Sequence, residues 1–305
     1  MSFPRLTTTR LVVGAGGLVL LLGVGLGLSA MSHHSSAAVD AEQDEAGFLP
    51  QGELELDYKS KFSHFKVTRE DTTRTLWFVR DNGEEVVESQ VDINRPYDLL
   101  VEYTRFMFLS YLFRPNPERV LIVGLGGGSM PHFLGRYDRK VKIDVVEIDP
   151  AIIQVAAQYF GVRSGGNLNI MNADGLDYLM KAKAKYDVIY MDAFLKPSAS
   201  TDDTGVPVRM KTVNFYKSVQ EKLKPDGVVV FNLNPHAGQA DDVKTIREAF
   251  PNTYVFRLNF NGLVVVATTS QQHVPARALD RLAAGLDRRF RATFSFRRMV
   301  ERLAR

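Results

Sequence analysis

Four short stretches of the chain place glycines or carboxylates directly after apolar runs, a pattern suited to holding a nucleoside. The first is VLIVGLGGGSM, residues 120–130, in which an apolar run enters Gly124, Gly126 and Gly128. Glycines between a strand and a helix let the backbone approach a ligand closely, with helix N-terminal amides nearby. A tight turn has the same appearance, so the loop needs partners before it means anything. Its spacing departs from the dinucleotide pattern G-x-G-x-x-G, because the residue three after Gly126 is Ser129, and this disfavours a nicotinamide-dependent oxidoreductase. Ser129 also lacks a G-x-S-x-G setting, so a hydrolase is not supported.

The partners follow in order. Val145-Val146-Glu147-Ile148-Asp149-Pro150 comes about twenty residues on, where an acid at a strand end can accept hydrogen bonds from ribose hydroxyls. Glu147 is the first candidate for that role. Asp149 has a plainer alternative as the cap of a helix starting at Pro150. Asn172-Ala173-Asp174-Gly175 and Tyr190-Met191-Asp192-Ala193-Phe194 complete the set. Each acid alone reads as a cap or turn residue; four in succession at the carboxyl ends of strands read as a nucleoside site.

The elements that must position these residues are legible from periodicity. Val120–Val123, Ile143–Val146, Leu168–Ile170, Tyr186–Met191 and Gly227–Phe231 are short apolar strands. Helices are predicted between them, from Met130 to Arg136, Ala151 to Phe160, Gly175 to Lys181 and Asn214 to Lys222. Such alternation predicts a mostly parallel sheet with helices on both faces, an α/β Rossmann-like fold. Tyr254–Leu258 and Leu263–Thr268 read as a closing hairpin. Upstream, short alternating segments broken by Asp81-Asn82-Gly83 predict a small antiparallel β-domain, and Leu99 to Phe113 has helical spacing. The expected domains are residues 54–115 for the β-domain plus helix, 116–275 for the α/β domain and 276–305 for a basic helical segment.

With 305 residues, 45% hydrophobic and 24% charged, the folded part has the composition of an ordinary globular protein, and a net charge of +3 gives no reason to expect a nucleic-acid partner. No cysteine is present, which removes disulfides, thiolate metal sites and Cys nucleophiles. Residues 11–30 are uncharged and apolar, long enough to span a bilayer. Arg5 and Arg10 precede them, while Asp40, Glu42, Asp44 and Glu45 follow. Residues 1–30 are therefore expected to be a membrane anchor or a signal peptide, with the folded part outside the cytoplasm. Ala30-Met31-Ser32 and Ser36-Ala37-Ala38 both offer cleavage patterns. Residues 31–53 read as a flexible linker.

The motifs VLIVGLGGG, DVVEIDPAIIQVAAQYF, NADGLDYL, YDVIYMDAF and FYKSVQEKLKPDGVVVFNL, between Val120 and Asn232, resemble the core of the spermidine synthase family and its class I methyltransferase relatives. The resemblance implies a co-substrate, S-adenosylmethionine or its decarboxylated form, and a small amine or other nucleophilic acceptor. It implies that Glu147 holds the ribose hydroxyls and Asp174 with Gly175 the adenine side. Gly124, Gly126 and Gly128 would pass beneath the amino-acid side, Asp192 would stand in the catalytic loop, and Tyr103 would meet the substrate. By family analogy the chain forms a homodimer.

Departures from the family are as informative. Polyamine synthases carry an Asp within the glycine loop where this chain has Gly127, a second catalytic-loop Asp where it has Leu195, and Tyr-His-Glu where it has Tyr103-Thr104-Arg105. Losing two carboxylates and gaining Arg105 weakens the case for a polycationic acceptor and leaves aminopropyl and methyl transfer both open. Asp202 and Asp203 could replace the missing acid, although a solvated loop is the plainer reading. A membrane-anchored binding protein that kept the fold and lost the chemistry is the competing function. His33 and His34 lack a third ligand. His64, His132 and His273 are scattered, and His236 lies on the ligand side by topology. The arginines of the C-terminal segment, from Arg288 to Arg305, are expected on a solvated helix that covers the sheet.

Overall fold

The β-branched and aromatic runs form eleven strands in a computed structural model that describes residues 52–304. Four of them make an antiparallel sheet in chain order: β1 (Glu53–Lys59), β2 (His64–Glu70), β3 (Thr73–Val79) and β4 (Glu85–Asp92). The turn at Asp81-Asn82-Gly83 joins β3 to β4, with Val79 opposite Glu85. Gly83 supplies the left-handed residue at φ 87°. Glu53, expected in the linker, already pairs with Arg69. The expected anchor or signal at 1–30 and the linker as far as residue 51 lie outside the described residues. Among the described residues, no helix is long and apolar enough to cross a membrane.

The second sheet has seven strands: β5 (Arg119–Val123), β6 (Lys142–Glu147), β7 (Leu168–Asn172), β8 (Tyr186–Met191), β9 (Leu223–Leu233), β10 (Asn252–Arg257) and β11 (Leu263–Thr268). Their spatial order is β10-β11-β9-β8-β5-β6-β7. Pairing is parallel from β7 across to β9, whereas β11 runs antiparallel to both β9 and β10. The closing hairpin is therefore present as read. The sequence order reverses on either side of β5, so the carboxyl ends of β5, β6 and β8 open onto one crevice, the place where open α/β sheets take ligands.

Helices cover both faces: α1 (Glu102–Met107), α2 (Ser129–Tyr137), α3 (Pro150–Tyr159), α4 (Gly175–Lys181), α5 (Val213–Gln220), α6 (Gln239–Ala249), α7 (Ala276–Phe290) and α8 (Phe296–Val300). The predicted helix over Leu99–Phe113 is shorter than its periodicity suggested. Val101 is extended and the chain tightens into a 3-10 turn from Phe108 to Leu112, while the Arg105 guanidinium binds the carbonyls of Leu99 and Leu100. Helix α6 was not anticipated, because only Val243 and Ile246 of its apolar residues are buried, too sparse a stripe to read as a period. In the basic C-terminal segment, Leu279, Ala283, Leu286 and Phe290 of α7 are buried. Phe290 packs edge-on to Tyr111, and the segment is held by apolar burial as well as by its arginine pairs.

Candidate functional site

The glycine loop between β5 and α2 is pressed from three sides. Gly124 sits at φ 100°, and a Cβ there would stand 2.1 Å from the Asp192 carbonyl oxygen, so the close pass of the loop over β8 requires glycine. Gly126 and Gly127 meet β4 of the other sheet: the Gly127 amide donates to Ser89 Oγ at 2.9 Å, and a Cβ at 127 would be 2.9 Å from Ser89 Cβ. An Asp at 127, which the family resemblance led one to look for, would collide with β4. Gly128 lies against Val162, and Gly175 against Val123. The glycines thus serve packing as well as ligand approach. Further ties hold the two sheets together, including Arg74 to the Tyr159 carbonyl at 2.7 Å.

Glu147 ends β6 and is buried. Its two carboxylate oxygens accept from the backbone amides of Leu125 and Asp149, at 2.9 and 2.8 Å. Burial outweighs these hydrogen bonds and pushes its pKa up to about 7. Asp149 caps α3 through the Ala151 amide, the plainer of its two readings. Its other oxygen accepts from Ser60 and Ser63 of the β1–β2 loop, at 2.5 and 3.2 Å, and so fastens the small sheet over the cleft. Asp174 caps α4 through the amides of Leu176 and Asp177, and its second oxygen accepts from Arg209 at 2.7 Å. Any adenine amino group meeting Asp174 would share that oxygen with Arg209, a residue that carried no sequence signal.

Asp192 ends β8. Tyr103 Oη donates to one of its oxygens and Asn232 Nδ2 to the other, each at 3.0 Å. Burial raises its pKa to about 6, against the lowering effect of those two donors. Tyr103 was read as a substrate contact, and its hydroxyl is committed to Asp192. Asn232 was legible in principle, since it lies near the end of the fifth parallel strand.

These residues surround one cleft of about 730 Å³, open mouth included. Gly124, Gly126, Glu147, Asp174, Gly175 and Asp192 all line it, while Gly128 and Tyr103 do not. Glu88 of β4 lines it too. Sequence reasoning missed Glu88, one acid among several in an antiparallel hairpin. Arg105, held by backbone carbonyls, is absent from the lining, so it puts no positive charge there.

Asp202 and His236 lie in an adjacent cavity behind Phe194 and Met210. Lys211 Nζ is 2.6 Å from Asp202 and 2.6 Å from Asp242, and His236 Nε2 is 2.8 Å from Asp242. The two carboxylates and the imidazole are close enough together to hold a cation, and the Lys211 ammonium already fills that role. His236 is therefore part of a buried network, and Asp203 is exposed.

Comparison with known proteins places these residues in a wider setting. Residues 103–268 match the Spermine/spermidine synthase domain. A polyamine aminopropyltransferase of Vibrio vulnificus (strain CMCP6) is 30% identical over 214 residues, 69% of this chain and 69% of that protein. The human eEF1A lysine and N-terminal methyltransferase is 32% identical over 216 residues, 65% of this chain and 31% of that protein. The crystal structure of human Methyltransferase-like protein 13 in complex with SAH aligns with a TM-score of 0.58 and 29% identity, covering 64% of this chain and 95% of that one. Spermidine synthase from Thermotoga maritima aligns with a TM-score of 0.62 at 19% identity, over 83% of this chain and 84% of that one, a likeness of fold.

Proposed function

We propose, on the premise that the chain belongs to the spermine/spermidine synthase family, that it is a transferase. It binds S-adenosylmethionine or the decarboxylated form in the cleft and moves a methyl or aminopropyl group to a small amine or other nucleophile. The observation that carries this reading is the pair Glu147 and Asp192. Buried Glu147 and half-buried Asp192 end β6 and β8, on either side of β5, and the glycine loop passes beside both. A rim acid held by backbone amides suits ribose hydroxyls, because its orientation is fixed before the ligand arrives.

The chemistry asked of the protein is modest. The nucleophile forms a bond to the carbon on the sulfonium, the carbon–sulfur bond breaks, and its electron pair stays on sulfur as a neutral thioether. The nucleophile's proton passes to a carboxylate. Asp192, with its pKa near 6, is mostly ionised at neutral pH and is oriented by Tyr103 and Asn232. It can hold an incoming N–H and receive that proton.

Independently of the transferase reading, we propose that the folded part lies outside the cytoplasm, supported by the apolar run at 11–30 between Arg5 and Arg10 and the later acids. A C-terminal topology reporter that reads cytoplasmic would overturn that placement. For the cleft, the test is calorimetric binding of methylthioadenosine and both donors to the full chain. Binding of at least one, weakened by roughly a hundredfold in Glu147→Ala, is the expected result, since a buried acceptor of two ribose hydroxyls contributes about 2–3 kcal/mol. No binding of any of the three would remove the transferase reading.

A further inference from the structure

The two ends of the large sheet carry opposite charge. At the carboxyl ends of the parallel strands, the cleft is lined by Glu88, Glu147, Asp149, Asp174 and Asp192 and by one cation, Arg209. At the amino ends lies an open hollow of about 1470 Å³, mouth included, lined by Arg119, Lys140, Lys142, Lys185, Lys224 and Arg289. Arg119 and Lys142 begin β5 and β6, Lys185 directly precedes β8, and Lys224 is the second residue of β9. Register puts Arg119 opposite Lys142 and Tyr186 opposite Leu223, so the four strand-end cations form one row.

Three of the six cations are compensated. Arg119 meets Asp144 at 2.7 Å, Lys224 meets Glu118 and Asp187 at 2.8 and 2.9 Å, and Arg289 meets Asp138 at 3.1 Å. Lys140, Lys142 and Lys185 are exposed and have no acidic partner among the described residues, although Lys185 donates to the Glu221 carbonyl. Arg288 and Arg291 flank Arg289 at the end of α7, exposed and likewise without an acidic partner among the described residues. Exposed Glu221 and Asp226, near the start of β9, offset only part of this charge. Such a surface attracts a layer of fixed negative charge.

The chain enters the folded part at this same end. Glu55 of β1 accepts from Arg74, which also donates to the carbonyl of Tyr159, the last residue of α3. Helix α3 starts beside the cleft at Asp149, where Ser60, just beyond β1, is bound. Its ten residues run about 15 Å back toward the amino ends of the strands. Strand β1 therefore rises from the basic end toward the cleft, and residues 31–52 alone separate it from the apolar run at 11–30. We propose that the basic end is a docking surface for the headgroups of anionic phospholipids in the bilayer that residues 11–30 enter. The hollow lies on the membrane and the acidic cleft faces away from it. This is independent of the transferase reading, and it rests on the membrane reading only in that the apolar run brings the chain to a bilayer. The lysines are attracted to the lipid layer and the cleft acids are repelled by it, so the opposite orientation is disfavoured.

Because the chain has no cysteine, one fluorophore can be attached at a chosen place. The full chain is labelled at Asn116→Cys, on the rim of the hollow, or at Ala199→Cys, exposed in the loop after β8. It is reconstituted into phosphatidylcholine vesicles with or without phosphatidylglycerol, and quenching by a headgroup-bound acceptor is read. Expected in anionic vesicles is quenching at 116 at least about threefold that at 199. The difference should vanish in neutral vesicles and in about 1 M salt, where the screening length falls to about 3 Å. Lys140→Gln, Lys142→Gln and Lys185→Gln together should lower the docked-to-undocked ratio at least roughly tenfold. The same loss of charge at Lys59, Lys61 and Lys244 should leave it within about twofold, and an unchanged thermal midpoint reports that both variants are folded. Equal quenching at the two labels, or a difference that persists in neutral vesicles or in the first variant, overturns the docking surface. So does a difference that emerges only once Asp40, Glu42, Asp44 and Glu45 are neutralised, which makes those acids the occupant of the hollow. Indifference to vesicle charge with binding of an RNA oligonucleotide through the same lysines also overturns it. A chain that joins neither vesicle overturns the membrane reading as well. Each of these results leaves nucleoside binding, and with it the transferase reading, untouched.

Discussion

Two groups of acids sit back to back on either side of Phe194 and Met210, and they have opposite electrostatics. In the cleft, Glu88, Glu147 and Asp192 approach one another with no cation among them, and burial raises the pKa of each, to about 8, 7 and 6. Behind the loop, Asp202 and Asp242 share Lys211, which holds the pKa of Asp202 below the ordinary carboxylate value and is itself raised by the pair. The same distinction recurs at the opposite end of the strands, where fully buried Asp187 is matched by Arg114, Lys224 and two backbone amides. A compensated acid holds the fold together. An uncompensated one is kept at a cost to stability, and acids held in that way cluster where proteins bind ligands or do chemistry.

The largest test of this contrast is Lys211→Met. Removing the cation leaves two largely buried carboxylates facing each other and should destabilise the protein by about 3–5 kcal/mol at neutral pH. The loss should shrink toward pH 5, because without Lys211 burial pushes the Asp202 carboxyl toward its protonated form. Urea unfolding at the two pH values checks both statements. A loss under about 1 kcal/mol at pH 7.5 would mean that the cluster is solvated and that the contrast between the groups is mistaken.

How much of this was legible depends on how local the signal is. The parallel strands, the glycine loop and Glu147, Asp174 and Asp192 could be read directly, because a strand end, a turn and a helix start are set by consecutive residues. Glu88 could not. It reaches the cleft only because β4 belongs to a second sheet that docks through Ser89 on Gly127 and Ser60 and Ser63 on Asp149. Those contacts join residues separated by 38, 89 and 86 positions. Arg105 erred in the other direction: its sequence position next to Tyr103 suggested the cleft, and the one-turn geometry of α1 points it to its own preceding carbonyls. Asp202 likewise read as a loose loop acid, although Lys211, nine residues on, pairs with it.

A smaller effect is expected from Glu88→Gln on stability. The native group has its pKa raised from 4.5 to about 8, so the folded state binds more protons than the unfolded chain between those values. Stability therefore falls as pH rises through that window, and the neutral amide removes the fall. The variant should match the native protein near pH 5 and exceed it by about 1–3 kcal/mol at pH 8.5, allowing for partial solvent screening. Thermal unfolding at both pH values measures this. A variant less stable than native at pH 8.5 would show that Glu88 is already compensated in the folded protein, placing it with Asp202 and Asp242.

The smallest effect separates the two readings of Tyr103. If the hydroxyl serves mainly to steady Asp192, Tyr103→Phe takes away one of the two donors that oppose burial. The carboxyl should then titrate above its native value near 6, by about one unit, equivalent to roughly 1.4 kcal/mol. Carbon-detected NMR of the Asp192 side chain reads the shift without any substrate. Binding of methylthioadenosine should change by less than about threefold, because Tyr103 lies outside the cleft lining. An unchanged titration together with weakened nucleoside binding would move Tyr103 from the support of Asp192 to the ligand itself, and would extend the uncompensated group from three acids to the phenol beside them.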